Sequence, residues 1–95
     1  LEGHVVHIDR FGNLITNILY KDVHDLTPDG GKLGTMKIAV GATEIKGLKK
    51  FYGEAAPGEP GAILNSNGHL EIFLYRQNAR TSLSLKRGDV IRVTL

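Results

Sequence analysis

Four short groups of residues in this chain combine side chains able to hold a small polar ligand. The densest is Asp9-Arg10-Phe11-Gly12-Asn13, set between two apolar runs. The Asn13 carboxamide offers a donor and an acceptor side by side, the pattern that matches the N6 and N7 edge of adenine. The Asp9 carboxylate can accept charge-assisted hydrogen bonds from an ammonium group. Gly12 allows a sharp turn or a close approach of backbone to ligand. The same residues also suit a hairpin in which Asp9 and Asn13 close Asx-turns, and spacing alone favours that use. In Asn65-Ser66-Asn67-Gly68 a tight turn tolerates positive φ at Asn67 and Gly68. Alternatively, the Ser66 hydroxyl and the neighbouring N–H groups bind a carboxylate. Asn78-Ala79 follows an apolar run. There Asn78 is a good helix N-cap, or its exposed backbone reads the edge of a base. Finally, Phe51-Tyr52 read as strand residues point to opposite faces, one ring toward the core and the other over a ligand face, where it can stack on a nucleobase.

Other chemistries find less support. The chain has no cysteine and four scattered histidines, His4, His7, His24 and His69. The separation of His4 from His7 places them on opposite faces of a strand, and no metal site is expected. Net charge is +2 without a basic stripe, which argues against nucleic acid. Lys46, Lys49, Lys50 and the Lys86-Arg87 turn read as solvated surface. No run is long enough for a membrane helix and no signal-like pattern opens the chain. The expectation is a cytoplasmic protein that does not associate with membranes.

The elements that must position these groups are short. Glycines cut the 95 residues into brief runs rich in Val, Ile, Leu, Thr and Phe, the signature of a small barrel or sandwich. Alternation places Ile91, Val93 and Leu95 on one face of Asp89–Leu95, and Met36, Ile38 and Val40 on one face of Thr35–Val40. His69–Tyr75 is more uniformly apolar, as for a strand covered on both sides. His4–Asp9, Leu14–Ile18, Thr43–Leu48 and Ala62–Leu64 are further strands. Helical turns are expected at Lys21–Leu26, before a Thr27–Gly30 turn, and near Ala79–Leu83. The fold class is therefore all-β: a small closed β-barrel of short, mainly antiparallel strands with one or two short helical turns, forming one domain over residues 1–95.

Taken together and in order, these segments resemble the S-adenosylmethionine (SAM) hydrolase family, which also includes the SAM-dependent fluorinase and chlorinase. Asp9-Arg10-Phe11-Gly12-Asn13-Leu14-Ile15-Thr16-Asn17-Ile18 is similar to that family's Asp-x-Phe-Gly-Asn-x-x-Thr-Asn-Ile segment. Phe51-Tyr52-Gly53 through Pro57-Gly58-Glu59 resembles its aromatic and Pro-Gly-Glu stretch. Asn65-Ser66-x-Gly68-x-Leu70-Glu71-Ile72 resembles its Asn-Ser-x-Gly-x-Leu-Glu-Ile run, and Asn78-Ala79 with Leu85 to Asp89 completes the pattern. The halogenases are similar in carrying Arg after the Ser of that turn, whereas this chain has Asn67. They also have a shorter link to the final Asn-Ala than Phe73–Gln77 supplies. Both differences favour a hydrolase.

The resemblance implies a C-terminal β-barrel domain whose N-terminal catalytic domain lies outside this chain, as a start at Leu1 without Met also suggests. It implies that Asn13 reads the adenine edge and that Tyr52, or else Phe51, stacks on adenine, as Phe11 can. Backbone groups of Asn78 and Ala79 meet the remaining adenine edge, while Asp9 and Ser66 hold the methionine amino and carboxylate groups. The parent would be a homotrimer in which a neighbouring subunit's N-terminal domain completes the site. There, water activated by N-terminal Asp, Arg and His residues would convert SAM to adenosine and L-methionine without a cofactor. The isolated domain would hold no catalytic residue and be inactive. The alternative is a stand-alone β-barrel binding module for nucleic acid or a protein partner.

Overall fold

A computed structural model describes residues 1–26, 36–75 and 77–94. The expected Thr27–Gly30 turn, Thr35 and Leu95 lie outside the described residues. Seven strands form one sheet: β1 (Glu2–Ile8), β2 (Leu14–Leu19), β3 (Lys37–Val40), β4 (Thr43–Lys46), β5 (Pro60–Leu64), β6 (His69–Leu74) and β7 (Val90–Thr94). Their order is β4-β3-β7-β1-β2-β6-β5, and every neighbouring pair is antiparallel. Just beyond β4, the Lys49 N–H donates to the Ala62 carbonyl at 2.8 Å, and Lys49 bridges Ile63. That contact draws the two edges together, so the expected barrel is nearly closed. Two short helices accompany it, α1 (Tyr20–Leu26) and α2 (Ala79–Leu83).

Alternation sorts the side chains as the period of a strand requires. Ile38 pairs with Val93 and Val40 with Ile91 across β3 and β7, and all four are buried. β6 is covered on both sides. Leu70, Ile72 and Leu74 enter the barrel core, while Phe73 joins Ala55 and Ile63 in a smaller outer cluster against which Tyr75 packs. The segment between β4 and β5 thus lies across the outer face of β5 and β6. Gly61 is paired with Phe73, and a Cβ at Gly61 would stand 2.6 Å from the ring; the missing side chain makes room for the aromatic.

Three expectations need correcting. The register of β1 against β2 shifts between Val5 and His7. This bulge changes the phase of alternation, so His4 and His7 are both exposed instead of facing opposite sides. Phe51-Tyr52 is not a strand. It enters a 3-10 turn at Tyr52–Glu54, and both rings are exposed. In the Asn65–Gly68 turn only Gly68 has positive φ.

The β-ladder is interrupted twice near the start of the chain, and side chains repair it. At the β1 bulge the His4 N–H donates to Asn17 Oδ1 at 2.8 Å. Between Ile15 and Leu19 the register of β2 against β6 also shifts. There the fully buried Thr16 hydroxyl donates to the Leu70 carbonyl at 2.7 Å and accepts from the Ile18 N–H at 3.2 Å. Thr16→Val keeps the shape and removes both bonds, leaving buried backbone groups unpaired. Denaturant unfolding of this variant is expected to show a loss of about 1–3 kcal/mol, with the m-value unchanged.

Candidate functional site

The β1–β2 loop is held by one carboxylate. Asp9 Oδ1 accepts from the N–H groups of Phe11 and Asn13, each at 2.9 Å, and Oδ2 accepts from Asn13 Nδ2 at 3.2 Å. Two backbone bonds close the same loop, Asp9 N–H to Asn13 O at 3.1 Å and Gly12 N–H to Asp9 O at 2.9 Å. The Asx-turn reading is therefore realised at Asp9 and not at Asn13, whose carboxamide donates to the Asp9 carboxylate instead. It leaves Phe11 projecting, 63% exposed, with the Arg10 guanidinium 4.9 Å from its ring centroid.

The loop docks on the start of α2. Gly12 has φ +83°, and a Cβ there would lie 2.1 Å from the Asn78 side chain, so glycine is required both by conformation and by space. The Gly12 carbonyl accepts from the Arg80 N–H at 2.9 Å, while Asn78 Oδ1 caps the helix by accepting from the Thr81 N–H at 3.0 Å.

Between this junction and the 3-10 turn opens a cleft of about 500 Å³, lined by Phe11, Asn13, Tyr52, Phe73, Leu74, Tyr75, Gln77 and Asn78. Its size suits a small molecule. Tyr52 is its outer wall. The ring meets Phe73 edge-on, centroids 4.9 Å apart at 82°, and its hydroxyl donates to Glu71 Oε2 at 2.6 Å. On the other side of Tyr52 lies a second groove of about 480 Å³, whose lining includes Phe51, Asn65, Ser66, Asn67 and Glu71.

Four of the expected residues thus share one cleft: Phe11, Asn13, Tyr52 and Asn78. Phe51 and Ser66 line the adjoining groove. Asp9 is half-buried and lies in the loop behind Asn13, off both walls. Ala79 is fully buried, so only its backbone can face a ligand. Asn65 and Glu71 stand within segments quoted above but carried no expected role of their own, and neither did Tyr75 or Gln77. The signal for Glu71 was available: a lone acidic residue inside an otherwise apolar strand. Among the described residues, Arg80, Lys86 and Arg87 lie beside His7 around a separate hollow, and Lys50 lines the second groove. Among the described residues no group of three metal-ligating side chains occurs, and no helix is long and apolar enough to cross a membrane.

The family profile of the SAM hydroxide adenosyltransferase C-terminal domain matches residues 3–92. The chain is 37% identical over 92 residues to (R)-S-adenosyl-L-methionine hydrolase of Thermus thermophilus, a match covering 97% of this chain and 31% of that protein. Two solved structures are also similar. One is an uncharacterized conserved protein from Thermotoga maritima, with TM-score 0.81, 30% identity, and coverage of 99% of this chain and 35% of that one. The other is a conserved hypothetical protein from Thermus thermophilus, with TM-score 0.77, 33% identity, and coverage of 98% and 34%. The chain therefore spans about a third of the length of these relatives.

The Tyr52 phenol has its pKa raised well above the ordinary tyrosine value of 10.0. Burial is the largest cause, followed by the hydrogen bond to Glu71, the Glu71 charge and the Asp9 charge. An unfolded chain loses this proton near the ordinary value while the folded chain keeps it. The phenol's contribution is thus intact below that pH and declines as pH rises above about 10. Tyr52→Phe is expected to flatten the alkaline limb of the stability–pH curve above about 10, measured by urea unfolding at fixed ionic strength.

Proposed function

This chain belongs to the SAM hydroxide adenosyltransferase C-terminal domain family, and from that membership we propose that it is the substrate-binding half of a SAM hydrolase. The observation that carries this reading is the convergence of Phe11, Asn13, Tyr52 and Asn78 on one cleft from three segments far apart in sequence. The Asn13 carboxamide, its Nδ2 steadied by Asp9, offers paired polar atoms to the adenine edge. Tyr52, backed by Phe73, offers a fixed ring face to the base, and Phe11 offers a second, more exposed one. Arg80 and Thr81 have already spent their N–H groups on Gly12 and Asn78. The Asn78 carbonyl already accepts the Ser82 N–H, so the N–H groups of Asn78 and Ala79 are what this reading offers to the other side of the base. Asp9 and Ser66 take the amino and carboxylate groups of the methionine moiety, with Phe51 beside Ser66.

The cleft is open, and in this reading the N-terminal domain of a neighbouring subunit closes it in a trimeric parent. That domain supplies the water. Its oxygen forms a bond to the ribose C5′ carbon as the C5′–S bond breaks. The bond's electron pair goes to sulfur, which leaves as the neutral thioether of L-methionine, and the water gives up a proton to become the 5′-hydroxyl of adenosine. In-line placement of water and C5′ provides much of the rate. No cofactor takes part.

Two measurements test this. The 95-residue chain alone is expected to release no adenosine from SAM above the uncatalysed background, by chromatographic assay; turnover by the pure chain would refute the division of labour. In the parent enzyme, Asn13→Ala is expected to lower kcat/KM for SAM by about 10- to 100-fold, the loss of one or two polar contacts in a desolvated site. Unchanged kcat/KM would remove Asn13 from the adenine site.

A further inference from the structure

Alternation along β6 puts Glu71 on the same outer face as Phe73 and Tyr75. Glu71 is only 5% exposed, and in the ion pairs of the described residues no cation is joined to it. A carboxylate so placed is costly unless its oxygens find donors. Both oxygens do, and both donors are neutral. The Tyr52 hydroxyl donates to Oε2 at 2.6 Å, and Asn65 Nδ2 donates to Oε1 at 3.2 Å. One partner forms the wall of the first cleft. The other is the residue that builds the turn carrying Ser66.

The direction of these bonds is fixed on the Asn65 side. Asn65 Oδ1 accepts from the N–H groups of Asn67 and His69, each at 3.0 Å. Its carboxamide can therefore turn only its NH2 toward Glu71 without breaking the turn. The phenol has a single hydrogen, and it is spent on the same carboxylate. Position 71 must thus present two acceptors side by side. A carboxylate does so directly. A glutamine can do so only on the Asn65 side, donating to a phenol oxygen that has reversed its role.

We infer that Glu71 is a positioning residue that locks the orientation of the Tyr52 ring to the conformation of the Asn65–His69 turn, so that the two grooves flanking Tyr52 are set as one unit. This rests on the reading above, in which the base lies on the Tyr52 side and the methionine carboxylate on the Ser66 side. Glu71 contributes to the lining of the second groove, but both of its oxygens are already engaged by protein donors. Its effect on both ends is transmitted through one hydrogen bond to each.

The test uses amide NMR of the full 95-residue chain, first without ligand and then with adenosine and L-methionine as separate probes. Without ligand, Tyr52→Phe is expected to shift the Asn67 and His69 amides and the Asn65 side-chain NH2. If these signals do not move, the coupling is overturned, whatever the chain binds. With ligand, Tyr52→Phe is expected to weaken adenosine more than L-methionine. Glu71→Leu is expected to weaken both by about fivefold or more, and Glu71→Gln to recover most of that loss. Should Glu71→Leu fail to fold, the Tyr52→Phe shifts and the Glu71→Gln affinities still decide the question. Glutamine as damaging as leucine would overturn positioning in favour of a requirement for charge. If the unsubstituted chain binds neither probe, the functional reading fails while the ligand-free shifts still judge the coupling. If it binds both and Glu71→Leu leaves L-methionine untouched, the coupling fails and the functional reading stands.

Discussion

Among the glycines of the described residues, the closest approach is that of Gly12 to Asn78. A Cβ at position 12 would stand 2.1 Å from the Asn78 oxygen, so the loop and the helix start meet only because one side chain is absent. The junction is reciprocal. α2 has five residues, too few to persist on propensity, and its first turn is completed from outside when Gly12 O accepts the Arg80 N–H. That is one of the orphan donors every helix start must place. In return the helix fixes the end of a loop whose shape is set by the Asp9 carboxylate. Phe11, Asn13 and Asn78 share a cleft as a consequence of this mutual bracing.

The Asp9–Ile18 segment divides between scaffold and site. Asn17 and Thr16 look, in sequence, as much like ligand-binding residues as Asn13 does. Their side chains instead replace ladder bonds at the bulge in β1 and at the gap between β2 and β6. The Thr16 carbonyl also meets His69 Nδ1 at 2.7 Å. A strand that breaks register while buried must satisfy its backbone with side chains. Polar residues inside an apolar strand are thus demanded by the barrel, and the same distortion of the ladder adjoins the loop that forms the cleft.

What could be read from sequence followed the strength of the local rule. Ile38, Val40, Ile91 and Val93 lie where period-two alternation places them. β6 is covered on both faces, as its largely apolar sequence implied, and Asn78 caps α2. Those signals depend on one residue and its near neighbours. The phase shift at Val5–His7 does not, because a bulge is set by what lies opposite. Phe51-Tyr52 was misassigned for a related reason. The backbone there follows the outer cluster of Ala55, Ile63 and Phe73, with Tyr52 tethered to Glu71, and these partners come from β5 and β6. That Glu71 is buried was not legible, because an acid in a strand ordinarily marks an exposed edge. Its burial depends on a segment that folds over it from elsewhere.

The electrostatics of the site bear on how such a domain can aid its reaction. In the proposed function, SAM would enter with a sulfonium charge that disappears as the C5′–S bond breaks. A bare carboxylate near sulfur would stabilise the substrate more than the transition state, which opposes catalysis. The two acids near Tyr52 are both restrained. Asp9 accepts three N–H donors, and Glu71 is bound by a phenol and a carboxamide. Of roughly four acceptor positions on the Asp9 carboxylate, one remains, on the oxygen that Asn13 holds in place. That is enough for one directed bond to an ammonium group, while the charge itself still reaches the cleft wall at Tyr52. The walls between are Phe11, Phe73, Leu74 and the Tyr52 ring. In the proposed function, a SAM cation anchored at its amino end would be held where its charge persists through the reaction, with apolar walls nearer the sulfonium.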